Sequence, residues 1–238
     1  DLTEAINTYL KIISIKKDDA ELNFYLGTAY LQIRAYDNSI KYLEKSLKYE
    51  NSNPMIYNNL GVAFKEIQEF EKAKDNFNSA LKIKSDFVEV YNNQGIVFRK
   101  LKSFNKSLKY LKKAIELNPK YSEAYNNIGN TFNEIGYKRK AIINYKQAIE
   151  LNPNFLDAHL NIGTAYQELK EFENAKKSFS KVKEINQKSD FIIGKLLHLD
   201  MIMCDWENYY KNTKLIKDSV KFKNIVDPFL FLSVCDDQ

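Results

Sequence analysis

Turn formers, cysteine and long apolar runs are all scarce in this chain. Its 238 residues include seven Gly and four Pro, too little turn chemistry for the many short strands of a sandwich or barrel. The two cysteines, Cys204 and Cys235, stand far apart with no CxxC spacing, which argues against a disulfide framework and a zinc site. There are two histidines, His159 and His198, and no HExxH helix, Gly-rich phosphate loop or nucleophile elbow. We therefore expect no catalytic site, no cofactor and no metal. No apolar run approaches the ~18 residues of a membrane span, so no membrane partner is expected. The chain opens on Asp1 without a basic n-region or an apolar h-region, which reads as a fragment of a longer cytoplasmic protein.

What is present is amphipathic material. Charged residues make up 28% and hydrophobic residues 44% of the chain, the balance of an all-α protein. The net charge of +5 comes from Lys spread among nearly as many carboxylates. A nucleic-acid footprint would cluster its cations on one face, so a nucleic-acid partner is not expected.

The glycines supply a ruler. Gly27, Gly61, Gly95, Gly129 and Gly163 recur at one constant interval, thirty-four positions each time, and a fixed period of this length marks a helical repeat array. Whole units then span 20–53, 54–87, 88–121, 122–155 and 156–189. In the second and fourth, apolar or aromatic residues stand four before the glycine, one before it and three after it, Tyr57, Leu60, Phe64 and Tyr125, Ile128, Phe132, one stripe of a first helix. A second helix follows. It runs from an aromatic (Phe70, Phe104, Phe172) through a small residue (Ser39, Ala73, Ser107, Ala141, Ala175) to a bulky one (Leu43, Phe77, Leu111, Tyr145, Phe179). Pro119 and Pro153 close two of these helices. Glycine in mid-helix costs about 0.5–1 kcal/mol relative to Ala, and the expected reason is close helix crossing.

These residues resemble the tetratricopeptide repeat family, most fully in AYNNIGNTFNEIGYKRKAIINYKQAIELNPNF. The resemblance covers about residues 2–217 and implies a right-handed superhelical solenoid of antiparallel helix hairpins. Residues 1–19 read as the second helix of a truncated repeat, whose uncapped apolar face offers self-association. Residues 190–217 read as a degenerate repeat with Leu197 in the glycine slot, and 218–238 as a capping or linker segment. Departures include Gln94 before Gly95, Lys138 in an aromatic slot, and Asn51, Ser85 and Gln187 where proline is absent. Loosened turns are expected there.

Solenoids bind through extended concave surfaces. With positions 4, 7, 8 and 11 of a unit facing its second helix, positions 2, 5, 6, 9, 12 and 13 face the groove. Position 6 holds Asn59, Asn93, Asn127 and Asn161, with Tyr25 in the first unit; position 5 adds Asn58, Asn92 and Asn126. Asn is a mediocre helix former, so a ladder of it in mid-helix has two readings: amides that bond neighbouring hairpins, and amides that hold the backbone of an extended peptide. Lys65, Arg99 and Lys100 stand among groove acids that include Glu21, Glu89, Glu123, Glu134, Asp157 and Glu168. The candidate peptide-binding set is therefore Asn58, Asn59, Asn92, Asn93, Asn126, Asn127, Asn161, Lys65 and Arg99. Chaperone-type members of the family clamp a terminal carboxylate with basic residues at positions 2, 5 and 6. Asn, acidic and apolar residues stand there in this chain, which disfavours that mode. His159 occupies the slot of Tyr57, Tyr91 and Tyr125 and reads as a packing residue.

Near the C-terminus, Cys204-Asp205-Trp206 and Pro228-Phe229 resemble the end of the repeat array in bacterial proteins related to O-linked N-acetylglucosamine transferase. That resemblance implies a substrate-recognition arm of a protein glycosyltransferase. The alternative is a free-standing scaffold for complex assembly.

Overall fold

A computed structural model describes residues 2–16, 18–186 and 190–221. The expected cap at 218–238, apart from helix continuing to Lys221, lies outside the described residues, as does the turn at Gln187. Among the described residues there are thirteen helices and no strand. A single helix, α1 (Leu2–Ile15), comes first. Six hairpins follow: α2 (Ala20–Gln32) with α3 (Tyr36–Leu47), α4 (Pro54–Glu66) with α5 (Phe70–Ile83), and α6 (Val88–Lys100) with α7 (Phe104–Leu117). The others are α8 (Ser122–Ile135) with α9 (Lys138–Leu151), α10 (Leu156–Glu168) with α11 (Phe172–Ile185), and α12 (Asp190–Ile202) with α13 (Trp206–Lys221). They form two compact units, residues 1–120 and 121–238.

Every hairpin turns the same way. Arg34, Gln68, Lys102, Gly136, Lys170 and Cys204 all have positive φ, between 54° and 91°, and they recur at the same interval as the glycines. The next residue's N–H reaches back to the carbonyl five positions earlier, as from Ala35 to Tyr30 (2.9 Å), Ser103 to Phe98 (2.8 Å) and Asp205 to Asp200 (2.9 Å). The left-handed residue donates three back, as from Gln68 to Lys65 (3.1 Å). This bond pair satisfies the last carbonyls of the first helix. Its presence at Cys204 means that α12 and α13 keep the turn of a regular unit although Leu197 replaces the glycine.

The glycines have a more specific reason than close backbones. A Cβ at Gly61 would lie 2.5 Å from the Phe77 ring, at Gly95 2.4 Å from Leu111 Cγ, and at Gly129 2.4 Å from the Tyr145 ring. The bulky side chain of the second helix thus lies directly over the glycine of the first. Those bulky residues are at most 1% exposed, and the small residues Ser39, Ala73, Ala141 and Ala175 are wholly buried. At the hairpin ends the ammonium groups of Lys72, Lys106 and Lys140 lie 5.5, 5.5 and 5.7 Å from the ring centres of Phe64, Phe98 and Phe132, a cation–π cover repeated with the period.

The expected loosening of turns without proline is not seen at Ser85. Lys84 ends α5 with φ −129° and ψ 96°, nearly the −139° and 94° with which Asn118 ends α7 before Pro119. Ala80 and Ala114 are fully buried and accept the cap N–H in both, so the same helix end forms with and without the proline. At Asn51 the chain does differ: α3 stops at Leu47 and Asn53 then caps α4, accepting from Met55 N–H at 2.9 Å. The buried Gln94 donates from Nε2 to Asn78 Oδ1 (2.8 Å) and the Lys74 carbonyl (3.2 Å). On α1, Leu2 and Ile12 are 43% and 41% exposed, whereas Ala80 and Ala114, in the slot of Ile12, are fully buried. No helix among the described residues is long and apolar enough to cross a membrane.

Candidate peptide-binding groove

In the first unit, α2, α4 and α6 present the predicted residues side by side, and their amides are linked. Asn59 Nδ2 donates to Thr28 Oγ1 of the preceding hairpin (3.0 Å). Asn58 Nδ2 approaches Asn59 Oδ1 at 3.4 Å, and Asn93 Nδ2 from the following hairpin donates to Asn58 Oδ1 at 3.3 Å. One run of polar side chains therefore crosses three hairpins. The second unit repeats the step: Asn161 Nδ2 donates to Asn126 Oδ1 at 3.0 Å. Asn127 lies one turn from Asn130, whose Nδ2 approaches its Oδ1 at 3.5 Å.

Burial divides the ladder by position. Asn58, Asn92 and Asn126, at position 5, are 9%, 6% and 6% exposed and belong to the seam between hairpins. Asn93, Asn127 and Asn161, at position 6, are half-buried, while Asn59 is buried. The seam bond uses one of the two amide N–H groups of Asn93 and of Asn161. A helix period of 3.6 residues explains the split, since neighbouring positions differ by about 100° around the axis. Of the two readings of the ladder, the hairpin-to-hairpin bond is present in the structure.

The charged residues are more occupied than the sequence implies. Lys65, 17% exposed, pairs with Glu66 at 2.9 Å. Arg99 is half-buried at the C-terminal end of α6, next to the exposed Lys100. Glu21 accepts from Tyr25 OH at 2.8 Å, and that bond, with the charge of Glu21, raises the Tyr25 pKa. Glu168 is ion-paired with Lys138, and Glu171 with Arg139, so the slot where Lys replaces an aromatic ties the fourth hairpin to the fifth. The sequence signal for these pairs was the charge of Lys138 itself.

His159 Nε2 contacts the Pro153 carbonyl at 2.9 Å, just as Tyr91 OH donates to the Ser85 carbonyl, also six residues back, at 3.0 Å. His198 is exposed on α12. Among the described residues, no three His, Cys, Asp or Glu side chains converge as metal ligands.

The Cys204-Asp205-Trp206 segment forms the turn into α13. Asp205 caps that helix, accepting from Asn208 N–H (3.3 Å) and Nδ2 (2.9 Å). Lys176 from α11 bridges it to the fully buried Asp200, at 2.6 Å to each carboxylate. The bonds from Lys176 and Asn208 hold the Asp205 carboxyl down at about 2. Burial opposes the charge on Lys176, but its bonds to Asp200 and Asp205 prevail and raise its pKa. Trp206 is 54% exposed and packs edge-on against Tyr209.

Hairpins of two helices recurring at a constant period, with a bulky side chain over each glycine, define a helical-repeat protein. Models of the tetratricopeptide repeat match residues 20–53, 56–87, 88–121, 110–142, 139–170 and 156–189, and the chain belongs to that family. Among solved structures it is similar to MamA, with 25% identity over 64% of this chain and 90% of that one and a TM-score of 0.59. It is also similar to PilW, a widely conserved type IV pilus biogenesis factor, with 19% identity over 90% and 98% and a TM-score of 0.76. A third is YrrB, described as a tetratricopeptide repeat protein with an unusual peptide-binding site, with 24% identity over 76% and 93% and a TM-score of 0.53. No curated protein matches the chain.

Proposed function

We propose that this chain is a protein-interaction module that holds extended polypeptide along the first helices of the hairpins within each unit, with Asn93, flanked by Lys65 and Arg99, as principal contact in one and Asn127 and Asn161 in the other. One observation carries the reading. The amides of Asn93 and Asn161 are aimed by their seam bonds to Asn58 and Asn126 and stay half-buried, so each keeps an N–H and a carbonyl oxygen for a peptide backbone. Asn58, Asn59, Asn92 and Asn126 act behind them by fixing their orientation. The peptide-binding site named for YrrB supports the reading by analogy. The test is a selection of random displayed peptides on the wild-type chain, followed by affinity measurement with the Asn93→Ala/Asn127→Ala/Asn161→Ala variant. Loss of a hydrogen bond at each residue, about 0.5–1.5 kcal/mol, weakens binding at least tenfold with helix content retained. Unchanged affinity would refute the groove.

A narrower reading makes the module the substrate-recognition arm of a protein glycosyltransferase. It is supported by Cys204-Asp205-Trp206 together with the Asn ladder, against the structural turn-and-cap role that Asp205 already fills. Its test is whether captured polypeptides carry O-linked sugar that disappears on deletion of the gene. The scaffold reading expects captured partners without that modification. Self-association of two copies through α1 is supported by the exposure of Leu2 and Ile12; an Ile12→Asp variant that sediments as wild type would dismiss it.

A further inference from the structure

Between the first hairpin and α4 lies a cavity of about 320 Å³. It is lined by Phe24, Tyr25 and Ile56 together with Glu21, Glu50 and Asn53. Its place in the repeat accounts for it, because Phe87, Tyr121 and Phe155 stand just before the first helices of the next three units, and Asn53 holds that slot here. Phe87 is 6% exposed, whereas Asn53 caps α4 by accepting from Met55 N–H at 2.9 Å. A ring is missing, and a cavity lies in its place.

The two carboxylates of this cavity are held by neutral donors alone. Glu21 accepts from Tyr25 OH through Oε1 at 2.8 Å, and Glu50 accepts from Ser52 N–H (2.8 Å) and Oγ (2.5 Å), again through Oε1. These bonds orient each carboxylate and leave its Oε2 open. Among the described residues neither Glu21 nor Glu50 forms an ion pair: Lys45 lies over the Tyr42 ring at 5.2 Å, and Lys16 and Lys48 are exposed. Just before α2, Asp18 and Asp19 also accept from neutral groups, Tyr49 OH at 2.6 Å and Leu22 N–H at 2.9 Å. The bonds from Ser52 hold the Glu50 carboxyl below its ordinary range, so it is charged at neutral pH. The helix dipole accounts for Glu21 in the first turn of α2 but not for Glu50, which follows the C-terminal, negative end of α3. Lys84, Asn118 and Asn152 take the place of Glu50 in the next three units.

Phe24 and Tyr25 stand at positions 5 and 6 of their repeat, where α4 and α6 carry Asn58, Asn59, Asn92 and Asn93. The cavity therefore adjoins the ladder of its own unit. We infer that it takes a Lys or Arg side chain of the bound polypeptide, with the aliphatic stem against Phe24, Tyr25 and Ile56 and the cationic head at the open oxygens of Glu21 and Glu50. The inference rests on the groove reading above and adds one residue of the ligand. Charge and shape together identify the occupant. A Ca²⁺ ion takes about six to eight oxygens, and among the described residues no three His, Cys, Asp or Glu side chains converge. A long basic side chain answers both halves of the cavity, since its stem is apolar and its head is charged, and the two rings add a cation–π attraction. The interaction is screened by salt.

The test is a selection of random displayed peptides on the full chain, followed by affinity measurement with the enriched sequences synthesised with acetylated and amidated ends. Selection on the wild type enriches Lys or Arg at one position, and replacing that residue by Gln weakens binding at least tenfold. The Glu21→Gln/Glu50→Gln variant keeps an acceptor oxygen for Tyr25 and for Ser52, so its thermal unfolding stays unchanged while the basic preference is lost. Asn53→Phe restores the ring of the other units and fills the cavity with both carboxylates still in place. It loses the preference as well. Enriched peptides without a basic residue, retained affinity after Lys→Gln or Arg→Gln replacement, or a basic preference that survives either variant of the chain each overturn the site, yet leave the groove standing if Asn93→Ala still weakens binding. If no peptide is enriched at all, the groove reading itself fails, and this inference with it.

Discussion

The glycine at the centre of each first helix gives the sharpest test of how the hairpins pack. At Gly95 an added Cβ would lie 2.4 Å from Leu111 Cγ and 2.6 Å from Cδ2, and Leu111 is 1% exposed. Alanine gains about 0.5–1 kcal/mol over glycine in a helix interior, while forcing a methyl group into a filled core costs about 1–3 kcal/mol. Gly95→Ala is therefore expected to destabilise by about 1–2 kcal/mol. Leu111→Ala on its own costs about 2–5 kcal/mol, but it removes the atoms that the new methyl would strike. In that background Gly95→Ala changes sign and stabilises by up to about 1 kcal/mol, giving a coupling of about 2 kcal/mol in a double-mutant cycle. Urea unfolding followed by far-UV circular dichroism measures all four proteins, with a constant m-value as the check that the denatured state is unaltered. A Gly95→Ala that stabilises the wild-type chain, or that costs the same with and without Leu111, would refute the idea that the glycine exists to seat the leucine.

Further outcomes follow from the turns, the buried amide and the last hairpin. Gln68→Gly relieves a left-handed residue at φ 64° that costs an L-amino acid about 1–2 kcal/mol, partly offset by glycine entropy; a small rise in urea midpoint is expected, and a fall would mean that Gln68 makes a contact that matters. Gln94→Leu removes a fully buried side chain whose Oε1 has no hydrogen-bond partner, so stability should rise by about 1 kcal/mol; a lower midpoint would show that its bond to Asn78 outweighs that orphan. Asp205→Asn keeps the cap on α13 but loses the charge facing Lys176, so Asp205→Ala should lower the melting temperature more than Asp205→Asn does; equal effects would remove the cap from the explanation. Because the folded pKa of Asp205 is held below its ordinary value, at about 2, its stabilisation is full above the unfolded carboxyl pKa of about 4 and fades as pH falls from 4 to 2. In Asp205→Asn that part of the acid dependence should be absent, as read from the Trp206 fluorescence against pH.

The period, the hairpin count and the core phase were legible because repetition makes one pattern visible several times. The turns were not. Among the described residues, Gly136 is the one glycine of the six left-handed residues, so Arg34, Gln68, Lys102, Lys170 and Cys204 leave no compositional trace of their geometry. The expectation of loose turns failed at Ser85 for a related reason: proline marks a helix end, but the end of α5 forms the same backbone without one. Of the candidate site, the sequence placed the Asn residues on the first helices, yet its single-helix view could not separate position 5, closed into the seam, from position 6, half-open beside it.

The linear order of residues was enough for the architecture, since glycines at a constant interval, with small and bulky residues in phase, admit one way of stacking hairpins. What those residues touch was settled only by folding. Leu111 covers Gly95, Asn93 donates to Asn58, and Lys176 gathers Asp200 and Asp205 because helices far apart in the chain meet at about one helix diameter. Hydrophobic period is a property of one helix and can be read along it. Hydrogen-bond partners and cavities depend on the distance between helices, which packing fixes only when the chain is folded.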